Sequence, residues 1–174
     1  MRAKTEPAGD VLALADRLVA AARAYGARLI VNDRADIAAM AAAAGVHVGQ
    51  TDLPVEAARA IVGAAGIVGV STHDREQIDR ALASSASYVA VGPVYQTATK
   101  DTGYEARGLD LVRYAAGRGK PIVAIGGITL ERAPDVIAAG ASALAVITDI
   151  LAGDDVEARV RAYGARLPAQ SFKV

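Results

Sequence analysis

The chain has 174 residues, 53% hydrophobic and 22% charged, which suits one globular domain. Nineteen basic residues balance nineteen acidic ones, leaving no charge surplus for nucleic acid or an anionic membrane. The absence of cysteine and the presence of only two histidines exclude disulfides, thiolate metal sites, Cys nucleophiles and a histidine-rich zinc site.

The start, Met1 to Lys4, is basic, but Asp16, Arg17 and Arg23 interrupt the apolar stretch behind it. Val11, Leu14, Leu18 and Tyr25 recur at helical spacing, so the segment reads as an amphipathic helix rather than a signal peptide. The longest small-apolar run, 37–46, falls well short of the ~20 residues a membrane span needs. We expect a cytoplasmic protein.

From there, short apolar runs alternate with helical patterns. The runs are 28–31, 45–48, 66–70, 88–91, 121–125 and 143–147. Helices are expected near 10–25, 35–44, 54–64, 74–86, 106–119, 130–140 and 153–165. The runs are continuously apolar rather than alternating, which indicates a parallel sheet buried on both faces. Gly26, Gly45, Gly66, Gly119 and Gly140 mostly stand where helices should stop.

Two α/β folds compete, a doubly wound open sheet and a (β/α)8 TIM barrel. Every run is followed by polar or glycine residues: Asn32 and Asp33; Gly49 to Asp52; Ser71 to His73; Thr97 to Lys100; Gly126 to Thr129; Thr148 and Asp149. A contribution from every strand suits a barrel's C-terminal face, whereas an open sheet concentrates its site at one switch point. No Gly-x-Gly-x-x-Gly or Walker A sequence occurs. Six strands and 174 residues fall short of a whole barrel, which has eight strands and about 200 residues or more. We therefore expect a barrel lacking its first strand, first helix and most of its second strand, roughly 35 residues. Residues 1–166 would form this domain and 167–174 a C-terminal tail.

Each polar group has a plain structural alternative. Asn32 and Asp33 are ordinary turn residues, and Asp52 before Leu53-Pro54 resembles a helix cap. Together, two carboxylates at the ends of adjacent strands suit Mg²⁺, which takes one or two carboxylates plus water and phosphate oxygens. Arg2 and Lys4 share a face if extended, or form a charged terminus. Ser71 could help start the next helix, where Asp74 and Gln77 have capping-box spacing. Gly126-Gly127 stands at a seventh-strand position, where backbone N–H groups often hold phosphate, and Thr148 can add a hydroxyl one strand later. Thr97, Thr99 and Lys100, just past a strand, suit a phosphate-bearing ligand. His47 lies within an apolar strand and reads as structural; His73, at a strand end, reads equally as structural or acid–base. No Ser-His-Asp arrangement or glutamate pair supports a hydrolase.

The stretches LIVND (29–33), GVHVGQTD (45–52), GVSTH (69–73), VGPVYQTATK (91–100), AIGGI (124–128) and AVIT (145–148), taken in order, resemble the thiamine phosphate synthase family. Arg2-Ala3-Lys4 is similar to the end of that family's Gln-x-Arg-x-Lys motif. The resemblance implies a (β/α)8 barrel that couples hydroxymethylpyrimidine diphosphate to thiazole phosphate, giving thiamine phosphate and pyrophosphate with Mg²⁺ as cofactor. By matching motif positions it implies Asp33 and Asp52 for Mg²⁺. It implies Arg2, Lys4, Asn32, Ser71 and Lys100 for the pyrimidine diphosphate, with Ser71 and Lys100 catalytic. It implies Thr97, Thr99, Gly127, Ile147 and Thr148 for the thiazole phosphate. The expected partners are small phosphorylated substrates, with neither nucleic acid nor membrane involved and a homodimer left open. Two alternatives stay open: the thiazole tautomerase of the same fold, which uses a histidine matching His73, and an inactive shortened barrel that only binds a phosphate ligand or partner.

Overall fold

The computed structural model describes residues 1–3, 5–97 and 105–167. Lys4, Thr99, Lys100 and the 168–174 portion of the expected tail lie outside the described residues. The chain divides into two compact units, one made of 1–71 with 84–87, the other of 72–83 with 88 onward.

The first unit opens with α1 (Ala8–Ala24), entered through Pro7, whose carbonyl accepts the Val11 N–H. Asp10 in its first turn and Arg23 in its last suit the helix dipole. The buried stripe Val11, Ala15 and Val19 follows the i, i+4 spacing of an amphipathic helix. Strand β1 (Ile30–Asn32), helix α2 (Ala35–Met40), strand β2 (Gly45–Val48), helix α3 (Val55–Val62) and strand β3 (Ile67–Thr72) complete the unit, with only Thr72 counted in the other. The three strands pair in parallel in the order β1, β2, β3. Helix α2 packs on α1, on α3 and on the first two strands. The core is small and branched, with Val31, Val46 and Val68 almost fully buried. This packing follows from a sequence with a single Phe and no Trp.

Gly45 is the first residue of β2 rather than a helix stop. A Cβ there would run into the backbone of Ile67, its partner on β3, so the two strands meet only because the side chain is absent. Arg59 of α3 ties the far end of the unit together. Its guanidinium donates to the carbonyls of Gly66 and Ser85, the latter at 3.0 Å, and to Ser87 Oγ at 2.9 Å.

In the second unit, helix α4 (Arg75–Ala83) precedes β4 (Tyr88–Val91), α5 (Gly108–Ala115), β5 (Ile122–Ile125), α6 (Ala133–Ala138) and β6 (Ala143–Ala145). Its strands are again parallel, in the order β4, β5, β6. Helix α5 packs on β4, β5, α4 and α6. The helix expected at 153–165 is α8 (Val156–Gly164), and a further short helix not expected from the sequence, α7 (Thr148–Leu151), precedes it. The break comes at Gly153-Asp154-Asp155, where Asp155 caps α8 by accepting the Ala158 N–H at 2.8 Å. No described helix is long and apolar enough to cross a membrane.

Candidate functional site

In the first unit, the expected polar residues gather where the strands run out. Met1 extends alongside β1: its amino group donates to the Ile30 carbonyl at 2.7 Å and its carbonyl accepts from Asn32 N–H at 2.9 Å. This is parallel-bridge geometry. Arg2 therefore follows directly on a residue paired to β1 and is exposed at the end that carries Asn32 and Asp33. Asp33 leaves the strand with φ +65°, a left-handed conformation that aspartate tolerates better than most residues. Its N–H donates to the His47 carbonyl at 2.7 Å, which anchors the end of β1 to β2.

Asp52 lies four residues past the end of β2, inside a tight turn. Its Oδ2 accepts the Gly49 N–H at 2.7 Å. Among the described residues Oδ1 has no hydrogen-bond partner. Asp33 and Asp52 thus follow neighbouring parallel strands at the same end. Among the described residues no group of three or more metal-ligating acids or histidines forms. Two hard carboxylate donors fit Mg²⁺ provided that water and substrate phosphate complete its six positions.

Ser71, near the end of β3, is held on two sides. His47 Nε2 lies 2.8 Å from its Oγ, and Gln50 Nε2 donates to its carbonyl at 2.6 Å. The register explains the first contact: His47 stands opposite Gly69, which offers no side chain, and Ser71 is next on the same face. His47, read as structural, is therefore a direct neighbour of a candidate site residue, and Gln50 is a further polar neighbour that sequence reasoning passed over. Ser71 does not start helix α4. Asp74 Oδ1 accepts the Gln77 N–H at 2.8 Å, the first half of the capping box that the spacing predicts, while Gln77 Oε1 accepts the N–H of His73, one residue before the cap, also at 2.8 Å.

The second unit holds the other group. His73 Nδ1 is 2.6 Å from the Gly92 carbonyl oxygen. A carbonyl cannot donate, so Nδ1 carries the proton in this contact. The segment after β4 stays beside β5: Val94 N–H donates to the Ile125 carbonyl at 2.9 Å and Tyr95 N–H to the Gly126 carbonyl at 3.0 Å. That pairing sets Tyr95 and Gln96 against the Gly126-Gly127 turn, and half-buried Thr97 follows them in sequence. Gly127 has φ +61°, and a Cβ on it would sit 2.8 Å from Tyr95 Cβ. Arg132 closes this loop by donating to the Gly127 carbonyl at 2.8 Å, with its guanidinium 4.6 Å from the centre of the Tyr95 ring. Ile147, 54% exposed, leads into Thr148, the exposed first residue of α7.

Asp149 follows immediately, and its carboxylate accepts four hydrogen bonds. Oδ1 accepts from Arg159 Nη2 at 2.8 Å; Oδ2 accepts from Arg159 Nε at 3.0 Å, Tyr163 hydroxyl at 2.5 Å and Leu130 N–H at 3.2 Å. The Arg159 hydrogen bonds hold this carboxyl below its usual range, with help from Tyr163 and against the effect of burial. Burial, with the Asp149 contact, raises the Tyr163 phenol. No signal in the sequence marks this hub, because Arg159 and Tyr163 come from α8, beyond a helix break that the apolar pattern does not show.

Two sets of three parallel strands alternating with helices, with polar side chains past the strand ends, define an α/β protein assembled from βα units. The chain belongs to a family of transferases: the family model for thiamine monophosphate synthase matches residues 1–150. A thiamine-phosphate synthase from Caldicellulosiruptor saccharolyticus is 44% identical over 138 residues, covering 79% of this chain and 62% of that protein. One from Mycobacterium marinum is 50% identical over 150 residues, covering 85% of this chain and 68% of that protein. The chain thus spans about two thirds of the length of these relatives. A solved structure of thiamine phosphate pyrophosphorylase from Pyrococcus furiosus superposes with a TM-score of 0.87 at 29% identity, covering 97% of this chain and 83% of that one. The expected family and the α/β class with parallel strands are therefore both met.

Proposed function

We propose that the protein is a thiamine phosphate synthase, joining hydroxymethylpyrimidine diphosphate to thiazole phosphate with release of pyrophosphate. The observation that carries this reading is the ordered match of residues 1–150 to that family. In the reaction the bond from the pyrimidine methylene carbon to the diphosphate oxygen breaks, and the diphosphate takes the electron pair. The thiazole nitrogen lone pair forms the new C–N bond. The attacking nitrogen carries no proton, so no general base is required. What needs stabilising is the charge that grows on the departing diphosphate.

We assign Arg2, Lys4, Asn32, Ser71 and Lys100 to the pyrimidine diphosphate, with Ser71 and Lys100 acting on the leaving group. The Ser71 hydroxyl suits this task when His47 Nε2 donates to it, which leaves its own proton for a phosphate oxygen, while Gln50 holds the Ser71 carbonyl. Asp33 and Asp52 would hold Mg²⁺, which when bound supplies positive charge beside the diphosphate oxygens. Thr97, Thr99, Gly127, Ile147 and Thr148 are assigned to the thiazole phosphate. In the same reading, residues 1–166 form one domain of the (β/α)8 kind, followed by the tail 167–174. The enzyme works on small phosphorylated substrates in the cytoplasm, either alone or as a homodimer.

The test is incubation of the purified protein with both substrates and Mg²⁺, with thiamine phosphate and pyrophosphate measured together. Equal amounts of the two products are expected. Loss of substrate without thiamine phosphate, or no turnover, would overturn the reading.

A further inference from the structure

We infer that Asp149 is a positioning residue: its carboxylate clamps together the two segments that, on the proposed function, hold the thiazole phosphate. The inference rests on that reading for the ligand but on geometry for the clamp. The first segment is the turn after β5, which contains Gly127. The second is the entry to α7, which contains Ile147 and Thr148. Asp149 belongs to the second by sequence and reaches the first through Leu130 N–H, three residues past Gly127. On its other side it accepts from Arg159 Nε and Nη2 and from the Tyr163 hydroxyl of α8.

The residues are placed for this role rather than for solvent. The Asp149 side chain is 16% exposed, and Tyr163 is 6% exposed. Both carboxylate oxygens are occupied, one of them three times over. Short helix α7 has no side-chain N-cap, so a contact from outside the helix adds to what its own backbone bonds supply. The turn on the other side contains Gly126 and Gly127, both at positive φ, so its backbone has more freedom to lose than an ordinary loop. A two-segment phosphate site loses affinity when the segments move independently, because binding must then supply the ordering. Arg159 and Tyr163 extend the clamp to α8, with Arg159 also 3.8 Å from Glu131 beside the same turn.

The experiment compares Asp149→Asn and Tyr163→Phe with the parent protein in two measurements. Hydrogen exchange on the ligand-free protein reads the clamp directly. Amides at 127–130 and 147–150 should exchange at least tenfold faster in Asp149→Asn, while those of β1 to β3 stay within twofold. Steady-state kinetics read the consequence: KM for thiazole phosphate should rise about tenfold, with KM for pyrimidine diphosphate within twofold and kcat within threefold. Tyr163→Phe should show the same pattern at about threefold, and it decides the matter if Asp149→Asn does not fold. A uniform rise in exchange across both units, or equal changes in both KM values, means general destabilisation and overturns the inference. So does a folded variant with unaltered exchange at both segments. A parent protein that makes no thiamine phosphate would instead sink the functional reading, leaving the exchange data to judge the clamp.

Discussion

His47 Nε2 lies 2.8 Å from Ser71 Oγ, across two parallel strands and opposite a glycine that leaves the face open. Either the hydroxyl donates to the ring or the ring donates to the hydroxyl. Only the second arrangement leaves the Ser71 proton available for a phosphate oxygen. Ser71→Ala should therefore lower turnover at least tenfold while costing about 1 kcal/mol of stability, the usual worth of one hydrogen bond. Paired kinetic and urea-denaturation measurements check this. Unchanged turnover would remove Ser71 from the leaving-group machinery.

Lys100 is assigned to the same departing diphosphate. An interaction that strengthens as charge grows should appear in kcat rather than in substrate affinity. Lys100→Ala is expected to reduce kcat by about 10²–10³, as for loss of one oxyanion donor. The dissociation constant for thiazole phosphate should move less than threefold. An effect confined to thiazole affinity would place the lysine on the other substrate.

Gly127 should resist substitution for two independent reasons. Its φ is +61°, and an added Cβ would meet Tyr95 Cβ at 2.8 Å and the Gln96 carbonyl at 2.5 Å. Gly127→Ala should then destabilise the fold by about 1–3 kcal/mol, from strain plus displacement of the neighbouring loop. Gly9→Ala makes a clean control, since nothing lies within 4 Å of the methyl it would gain and its φ is not in the left-handed region. Thermal denaturation of both variants separates the effects. Equal midpoints for the two would show that the turn yields freely.

The Asp149 clamp also has an acid signature. Arg159 holds the folded carboxyl below its usual value near 3.8, so the clamp stabilises the protein at pH above that value. The contribution fades as pH falls below about 4 and on through the lowered folded pKa. Asp149→Asn should therefore be less stable than the parent at neutral pH, and the gap should narrow in acid. Denaturation midpoints measured at pH 7 and below pH 4 give the comparison. A gap that widens in acid would contradict the assigned sign.

Much of this arrangement is legible in residue order. Continuous apolar runs locate β2 and β4 at their observed bounds, because a strand buried on both faces has no polar interruptions. The polar residues after the strands are legible for the same reason. Register is not. That Gly69 faces His47, and so lets it lean to Ser71, depends on how two strands slide past each other, which apolar runs do not encode. Helix α7 escapes a sequence reading because four residues, Thr148-Asp149-Ile150-Leu151, are too few to show a helical period, and the first two read as the polar residues after the strand. The Asp149 hub is hidden with it, since Arg159 and Tyr163 reach back only after the chain breaks at Gly153.

Asp52 allows structural and metal roles to be separated within one side chain. Its Oδ2 caps the Gly49 N–H at 2.7 Å, a task that the carbonyl oxygen of asparagine can perform equally well. Holding Mg²⁺ beside a diphosphate depends instead on the negative charge. Asp52→Asn should thus keep the turn, with a stability change below about 1 kcal/mol, the worth of the one bond at stake. The Mg²⁺ concentration for half-maximal turnover should rise at least tenfold. Asp52→Ala should lose both the turn bond and the metal response, lowering stability by about 1 kcal/mol in addition. Titration of turnover with Mg²⁺ alongside thermal denaturation of both variants makes the comparison. If asparagine restored the parent's Mg²⁺ response together with its stability, Asp52 would be a turn residue, and Asp33 would have to hold the ion with phosphate and water alone.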